Sequence, residues 1–341
     1  MSLTLREFAA MVGLSPTTVS RALGGYPEVR EETRARVEAA AREHGYRPNR
    51  RAAALATGRA MTIGHVIPAA LGHEVVNPVF GDFVAGAGEV YGAAGYDMLM
   101  STVSDGDEAG AYLRLAEQGA VDGVIVHGPR VDDDRPALLR RLGLPFVVHG
   151  RVSSETEPYD FVDVENARAF AALTDHLLDH GHRRIALLNG LEGQDFAARR
   201  REGFDSALAG RGLASAHLAS SEMTEAEGFA AAAAMLDGPA PPTAFVTASL
   251  ILALGVRRAL DARGLAMGRD VSVTTHDDAL GYIGNGGDTP LFTASRSSVR
   301  AAGRRCAEML LARIADPGGT PAREVWPCPL VIGPSTGPAP R

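Results

Sequence analysis

Residues 4–23 read TLREFAAMVGLSPTTVSRAL, and the way this stretch divides decides what kind of unit opens the chain. Thr4 is placed to cap a helix over Leu5–Val12, with Glu7 at the reciprocal capping position and Gly13 as a left-handed stop. Leu14 and Ser15 make the turn. Ser15 is a second N-cap, and Pro16, whose φ is already set, opens a helix that runs to Leu23. A turn this short permits only a tight helix-turn-helix. Phe8, Val12, Val19 and Leu23 then face inward, while Thr17, Thr18, Ser20 and Arg21 point outward. The amphipathic run Glu31–Glu43, ended by His44-Gly45, supplies a third helix with Val37, Ala40 and Ala41 on its inner face.

The second helix of such a unit fits a DNA major groove. Arg21 is the natural forked donor to guanine O6 and N7, and Thr17 and Thr18 offer a hydroxyl or a methyl to neighbouring bases. The rival reading is a plain pair of short helices joined at a glycine. Charge separates the two: the chain carries a net −7 over its 341 residues, yet in residues 1–60 arginine outnumbers acid and no lysine occurs. A basic head on an acidic body fits a chain in which only the head meets phosphate.

Length suits one small domain followed by a larger, two-lobed one. The 45% hydrophobic and 22% charged composition is that of a folded globular protein. No apolar run reaches the ~18–20 residues of a membrane span, and MSLTLREFAAMVG lacks the pattern of a secretory signal. Cys306 and Cys328 offer no disulfide scaffold. A cytoplasmic protein without membrane partners is expected.

LREFAAMVGLSPTTVSRALGG, VREETRARVEAAAREHGYRPN and RRAAALATGRAMTIGHVIP, taken in order, resemble the lactose-repressor (LacI/GalR) family. The resemblance implies that Thr18–Arg21 lie in a recognition helix and that Gly45–Asn49 lead into a hinge helix. The DNA contacts it carries over are Thr4, Leu5, Ser15, Pro16, Thr17, Thr18, Ser20 and Arg21 in the head. Asn49, Ala52 and Leu55 follow in the hinge, with Leu55 matching the leucine that wedges into the minor groove. A hinge helix of this length is marginal alone and needs another element to order it; Leu55 could instead pack on the body. Two departures stand out. Arg30 occupies the N-cap of the third helix, and Pro16 offers no side-chain hydrogen bond to a base.

Beyond the hinge, short apolar runs alternate with helical stretches, as in parallel sheets with crossover helices. Strands are predicted over Ile63–Ile67, Asp97–Ser101, Gly123–Val126, Phe146–His149, Ile185–Leu188, Ala244–Thr247 and Val271–Thr275. Helices are predicted over Val79–Ala94, Ala167–His180, Ala197–Ala209 and Leu250–Ala262. The expected fold is an all-α helix-turn-helix head plus an α/β body of two doubly wound parallel-sheet lobes. The expected divisions are 1–48 for the head, 49–60 for the hinge and linker, and 61–341 for the effector-binding and dimerisation domain. Ligands of such lobes bind beyond the carboxyl ends of the strands.

GHRRIALLNG, AARRREGF, PPTAFVTASLILALG and GRDVSVTTHDD extend the resemblance through the body, which implies the fold of periplasmic sugar-binding proteins. Carried over, the effector cleft is lined by Asn77, Phe80, His127, His149, Arg151, Phe196, Arg200, Ser249, Asp277 and Ser297. Arg200 and Asp277 are the leading candidates, since a buried arginine beside a carboxylate grips vicinal hydroxyls while a phenylalanine covers the ring. Against this, Arg199–Arg201 is a charge run of the sort that usually faces solvent, and either Asp277 or Asp278 could cap a helix. Asp132–Asp134 reads as a solvated loop.

His176, His180 and His182 have a metal-like spacing broken by Gly181. Gly86-Ala-Gly88 lies inside a predicted helix, not after a strand, and no nucleophile elbow occurs. No enzyme, metal site or cofactor is expected. The expected function is a sequence-specific transcriptional regulator, in the main a repressor, of carbohydrate uptake or catabolism genes. It binds a palindromic operator as a homodimer, under control of a mono- or disaccharide. The stretches 77–98 and 127–133 are similar to a branch of the family associated with α-glucosides. A nucleoside or purine effector, or a corepressor, is the alternative. The Pro/Gly-rich tail after Trp326 lacks the heptads of a tetramerising helix, in keeping with a dimer.

Overall fold

The computed structural model describes residues 3–24, 26, 28–46, 58–68, 77–103, 107–287 and 289–340. The chain divides into two compact units, Met1–Met61 with Gly119–Asp122, and Thr62–Gln118 with Gly123–Arg341. The hinge stretch with Asn49, Ala52 and Leu55 lies outside the described residues.

In the first unit, α1 (Leu5–Val12) opens on a complete capping box: the Glu7 amide donates to Thr4 Oγ1 at 3.3 Å and the Thr4 amide to Glu7 Oε2 at 2.8 Å. Gly13, at φ 66° and ψ 30°, ends the helix in the left-handed region, where a Cβ is strained. α2 (Pro16–Leu23) begins at Ser15, whose Oγ accepts from the Thr18 amide at 3.0 Å. α3 (Glu31–Glu43) has no side-chain cap at Arg30; Glu31 and Glu32 in its first turn compensate by facing the positive end of the helix dipole. Phe8, Val19, Ala22 and Val37 are fully buried, with Val12, Leu23 and Ala40 packed around them. Tyr46, which the helical periodicity did not single out, closes this core by stacking on Phe8 with ring centroids 4.2 Å apart.

The second unit contains two six-stranded sheets among the described residues. The first lobe uses β1 (Thr62–Pro68), α4 (Pro78–Ala93), β2 (Asp97–Val103), α5 (Glu108–Glu117), β3 (Gly123–Val126), α6 (Arg135–Leu142), β4 (Phe146–His149) and β5 (Asp160–Val164). The chain then enters the second lobe as α7 (Asn166–Asp179), β6 (Ile185–Asn189), α8 (Asp195–Ala209), β7 (His217–Ser220), α9 (Glu225–Leu236), β8 (Ala244–Thr247), α10 (Leu250–Asp261), β9 (Ser272–Asp277) and β10 (Thr293–Arg296). It returns as α11 (Val299–Ala315) and β11 (Arg323–Trp326), and crosses again to β12 (Leu330–Val331). Sheet orders are β11-β5-β4-β3-β1-β2 and β12-β10-β9-β8-β6-β7, parallel throughout except where β12 runs against β10. The doubly wound, two-lobed architecture is the one expected from the strand–helix alternation.

Buried apolar strands such as Gly123–Val126 and Ala244–Thr247 are the central ones, which is why they were legible. β5 (DFVDV) and β7 (HLAS) carry polar residues, and β10 to β12 are short. Phe83, Tyr91, Ile125, Val147, Cys306 and Leu310 form the core of the first lobe. Phe170, Leu187, Phe204, Phe245, Val256 and Phe292 anchor that of the second. Gly86 and Gly303 let α4 and α11 approach closely: a Cβ on Gly86 would sit 2.0 Å from the Arg300 carbonyl oxygen, and one on Gly303 2.1 Å from that of Phe83. Gly86 therefore has a packing role. The tail is part of the second lobe, because buried Ser335 donates to the Val273 carbonyl at 2.5 Å and accepts from the Thr293 amide at 2.8 Å. No helix among the described residues is long and apolar enough to cross a membrane.

Candidate nucleic-acid interface and ligand cleft

On the head, Ser15, Pro16, Thr17, Ser20 and Arg21 are exposed. Thr18 is half-buried and its hydroxyl is engaged with Ser15 Oγ at 2.8 Å. Thr4 is spent on its capping box, and Leu5 packs against the head core. With Pro16 silent and Thr18 engaged, the outward polar groups of α2 reduce to Thr17, Ser20 and Arg21. Arg21→Ala is expected to lose ~1–3 kcal/mol of discrimination at one base pair. Fluorescence anisotropy on operators varied one pair at a time reads this as relaxed preference at a single position; a phosphate contact would lower affinity for all of them alike.

In the body, a cavity of about 170 Å³ opens between the carboxyl ends of the two sheets. Gly128 and Pro129 after β3, Gly150 after β4, Ala248 after β8, Asp278 after β9 and Ser297 after β10 all border it, as the topology dictates. Val79, Phe196, Met223, Val299 and Ala302 form an apolar wall.

Arg200 is the cavity's cation. It is 6% exposed, donates from Nε to Asn166 Oδ1 at 2.8 Å and from Nη1 to the Ala248 carbonyl at 2.7 Å, and lies 4.7 Å from the centre of the Phe196 ring. Burial pulls its pKa below the ordinary value, opposed by the charge of Asp278. Arg199 is buried as well, so only Arg201, paired with Asp205, behaves as the surface charge that a triple-arginine run suggests.

Four of the sequence-derived residues, His149, Phe196, Arg200 and Ser297, border the cavity. The others lie around it. Asn77 caps α4 by accepting from the Val79 amide at 3.0 Å. Phe80 meets the His127 ring edge-on at 5.1 Å, and His127 Nε2 is 2.9 Å from His65 Nδ1. Arg151 ion-pairs with Asp163 at 3.1 Å. Ser249 is buried and caps α10. Asp277, expected in the cleft, instead accepts from the Ala279 amide at 2.8 Å; this turn, with Ala279 at φ 51°, delivers Asp278 to the cavity. Asp278 sits 3.4 Å from His276 Nε2; burial raises its pKa, but His276 and Arg200 outweigh this and hold it below the usual carboxylate range.

Asp163 and Asn166, also at the cavity, escaped sequence reasoning because β5, whose end they flank, was not recognised. Asp133, expected in a solvated loop, is buried and gripped by Arg135 from Nε at 2.9 Å and Nη2 at 2.5 Å. His182 is buried between Thr243 and Ser272, at 2.9 and 3.0 Å, and His176 reaches Thr336 at 3.0 Å.

His65, His127 and His149 form a layer with Phe83 that reaches the cavity at His149. Desolvation pulls His65 and His149 from 6.5 to about 4, and pulls His127 well below its ordinary value with help from its neighbours' charges. His65 and His149 are neutral in the folded protein above about pH 4, so their contribution is complete above pH 6.5 and is lost as pH falls from there through about 4. The body's melting temperature is expected to fall across that window, with a shallower slope in His65→Gln; calorimetry at a pH series checks it.

A three-helix head with an exposed reading face and a separate two-lobed ligand domain define a DNA-binding transcriptional regulator. Residues 4–49 match the model of bacterial regulatory proteins of the lacI family, and residues 174–336 that of the periplasmic binding protein-like domain. The chain is 44% identical to the HTH-type transcriptional regulator AglR of Rhizobium meliloti (strain 1021), over 100% of this chain and 96% of that protein. It is 34% identical to RafR of Escherichia coli, covering 81% and 82%. Among solved structures, the Lac repressor dimer bound to operator and the anti-inducer ONPF aligns at TM-score 0.83 with 27% identity, covering 99% of this chain and 100% of that one. The CelR–cellobiose complex aligns at 0.71 with 28% identity, covering 98% and 99%. The chain belongs to the LacI family, whose members are transcription regulators and not enzymes.

Proposed function

We propose that this regulator is a cytoplasmic repressor that binds a palindromic operator as a homodimer, and that a neutral saccharide in the body cavity releases it. Arg200 carries the reading: a buried guanidinium, held by Asn166 and flanked by Phe196, with a carboxylate at Asp278 across the same cavity. Paired donor and acceptor suit vicinal hydroxyls, and the aromatic face suits the apolar side of a sugar ring. His149 and Ser297 complete the polar lining. Asp278, which has no arginine ion pair among the described residues, also disfavours an anionic effector such as a sugar phosphate. A cavity of about 170 Å³ is small beside ligand clefts of ~300–1,000 Å³, so a ligand larger than one sugar ring has to part the lobes.

The CelR–cellobiose complex supports a disaccharide in this fold, and the stretches 77–98 and 127–133 favour the α-glucoside class. Arg21, Thr17 and Ser20 read the half-site, and Leu55 wedges the operator centre; Leu55→Ala is the variant that tests the wedge by DNA bending. Relief by the sugar follows from a population shift between lobe arrangements. A thermal-shift panel of monosaccharides, α- and β-linked disaccharides, sugar phosphates and purine nucleosides tests the ligand class. Neutral α-glucosides are expected to raise the melting temperature. A response to nucleosides or phosphates alone would overturn the reading.

A further inference from the structure

The cavity's cation is wired to the seam between the lobes. Arg200 Nε donates to Asn166 Oδ1 at 2.8 Å, and Asn166 Nδ2 donates to Asp163 Oδ1 at 3.2 Å. Asp163 Oδ2 accepts from Arg199 Nη1 at 2.5 Å, and Arg199 Nη2 lies 2.5 Å from Asp195 Oδ1. Asp195 Oδ2 in turn accepts from the Ser153 amide at 2.7 Å. Every side chain of the chain is at least nine-tenths buried. Arg199 and Asp195 belong to α8 of the second lobe, Asp163 to β5 and Ser153 to the loop after β4 of the first.

Beside this chain, two backbone bonds join the loops after β3 and β6: the Asp195 amide donates to the Pro129 carbonyl and the Val131 amide to the Gly193 carbonyl, both at 2.9 Å. The first-lobe side of this seam is held rigid from within. Asp133 accepts from the Arg130 amide at 2.9 Å and is forked by Arg135, while Arg130 Nη1 reaches Glu108 at 3.3 Å.

We infer that Asn166, Asp163, Arg199 and Asp195 form a buried relay through which the state of Arg200 sets the strength of the seam between the lobes. Arg199 is its positioning residue: two nitrogens of one planar guanidinium serve carboxylates of different lobes, a task that a single ammonium cannot reproduce. Desolvated pairs of this kind lose both partners' compensation when one is removed, so the relay holds or opens as a unit. The coupling rests on the cavity being the effector site; the relay itself is testable without any ligand.

The test is hydrogen exchange by mass spectrometry on the full-length wild type, Arg199→Gln and Asn166→Leu, with no sugar present. Peptides covering residues 128–133, 150–154 and 191–196 report the seam; those covering β1 and β8 report the two cores. Both variants are expected to speed exchange in the seam peptides by at least about tenfold while the core peptides stay at the wild-type rate. The hydrogen bonds of the Asn166 side chain go to Arg200, Asp163 and Val164, none of them in the seam peptides, so a loosened seam in Asn166→Leu is the signature of the relay. Seam exchange at the wild-type rate in Asn166→Leu would overturn the proposal, and so would equal acceleration in the cores, which marks a merely structural role. Asn166→Ser, which shortens the same side chain outside the seam peptides, decides the question by the same two outcomes if Asn166→Leu fails to fold.

Discussion

Arg200→Ala is expected to lower saccharide affinity about a hundredfold or more and to uncouple operator binding from the sugar. The guanidinium holds Asn166 Oδ1 and the Ala248 carbonyl and lies between the Phe196 and Phe170 rings, 4.7 and 5.1 Å from their centres. Its removal strands two buried acceptors and takes from Asp278 the arginine charge that acts on it beside His276. A pair of charge-assisted hydrogen bonds to the sugar is worth about 1.5–3 kcal/mol each, which corresponds to a loss of about a hundredfold or more at ~1.4 kcal/mol per decade. Arg200→Lys is expected to fall close behind, because a point charge cannot make the forked pair of bonds to Asn166 and Ala248. Isothermal titration with the saccharide identified by thermal shift measures the affinity. Operator affinity without sugar should stay within a few-fold of wild type, since Arg200 belongs to α8 of the body and not to the head.

Phe8→Ala is expected to have the opposite pattern. Phe8 is fully buried and stacked on Tyr46 at 4.2 Å, in a head whose core comprises few residues. Phenylalanine-to-alanine replacements in cores cost about 3–5 kcal/mol, and a small domain holds no more than about 3–5 kcal/mol in reserve. The head should therefore be unfolded near room temperature, with operator binding down by at least about a hundredfold. Saccharide binding and the melting transition of the body should remain as in wild type. Calorimetry, which resolves the two units, and operator titration together check the split; a folded head that still binds would show that the Phe8–Tyr46 stack matters less than its geometry indicates.

The head was the most legible part of the sequence because its signals are local. Thr4 with Glu7, Gly13, and Ser15 with Pro16 each fix a helix end within four residues, and the observed caps follow them. Tyr46 escaped because its place depends on where the chain goes after α3, which no helical period encodes. In the body, continuous apolar strands announced themselves, whereas DFVDV at β5 reads as a polar turn until its neighbours on both sides are known. That omission hid Asp163 and Asn166. The Asp277–Asp278 pair shows a second limit. Both residues are acidic and adjacent, and only the tight turn at Ala279 decides which one enters the cavity. Likewise the triple arginine at 199–201 divides into two buried members and one surface member only once α8 is docked against β5 and α7.

Operator titration of the full-length protein with and without saccharide measures the coupling between the cavity and the head. Selection from random duplexes supplies the operator, and fluorescence anisotropy at fixed salt supplies the affinities. A palindromic site is expected to be selected, a neutral α-glucoside to weaken binding to it at least about tenfold, and Arg200→Ala to bind the same site but ignore the sugar. A saccharide that binds the wild-type cavity yet leaves operator affinity unchanged would contradict that coupling.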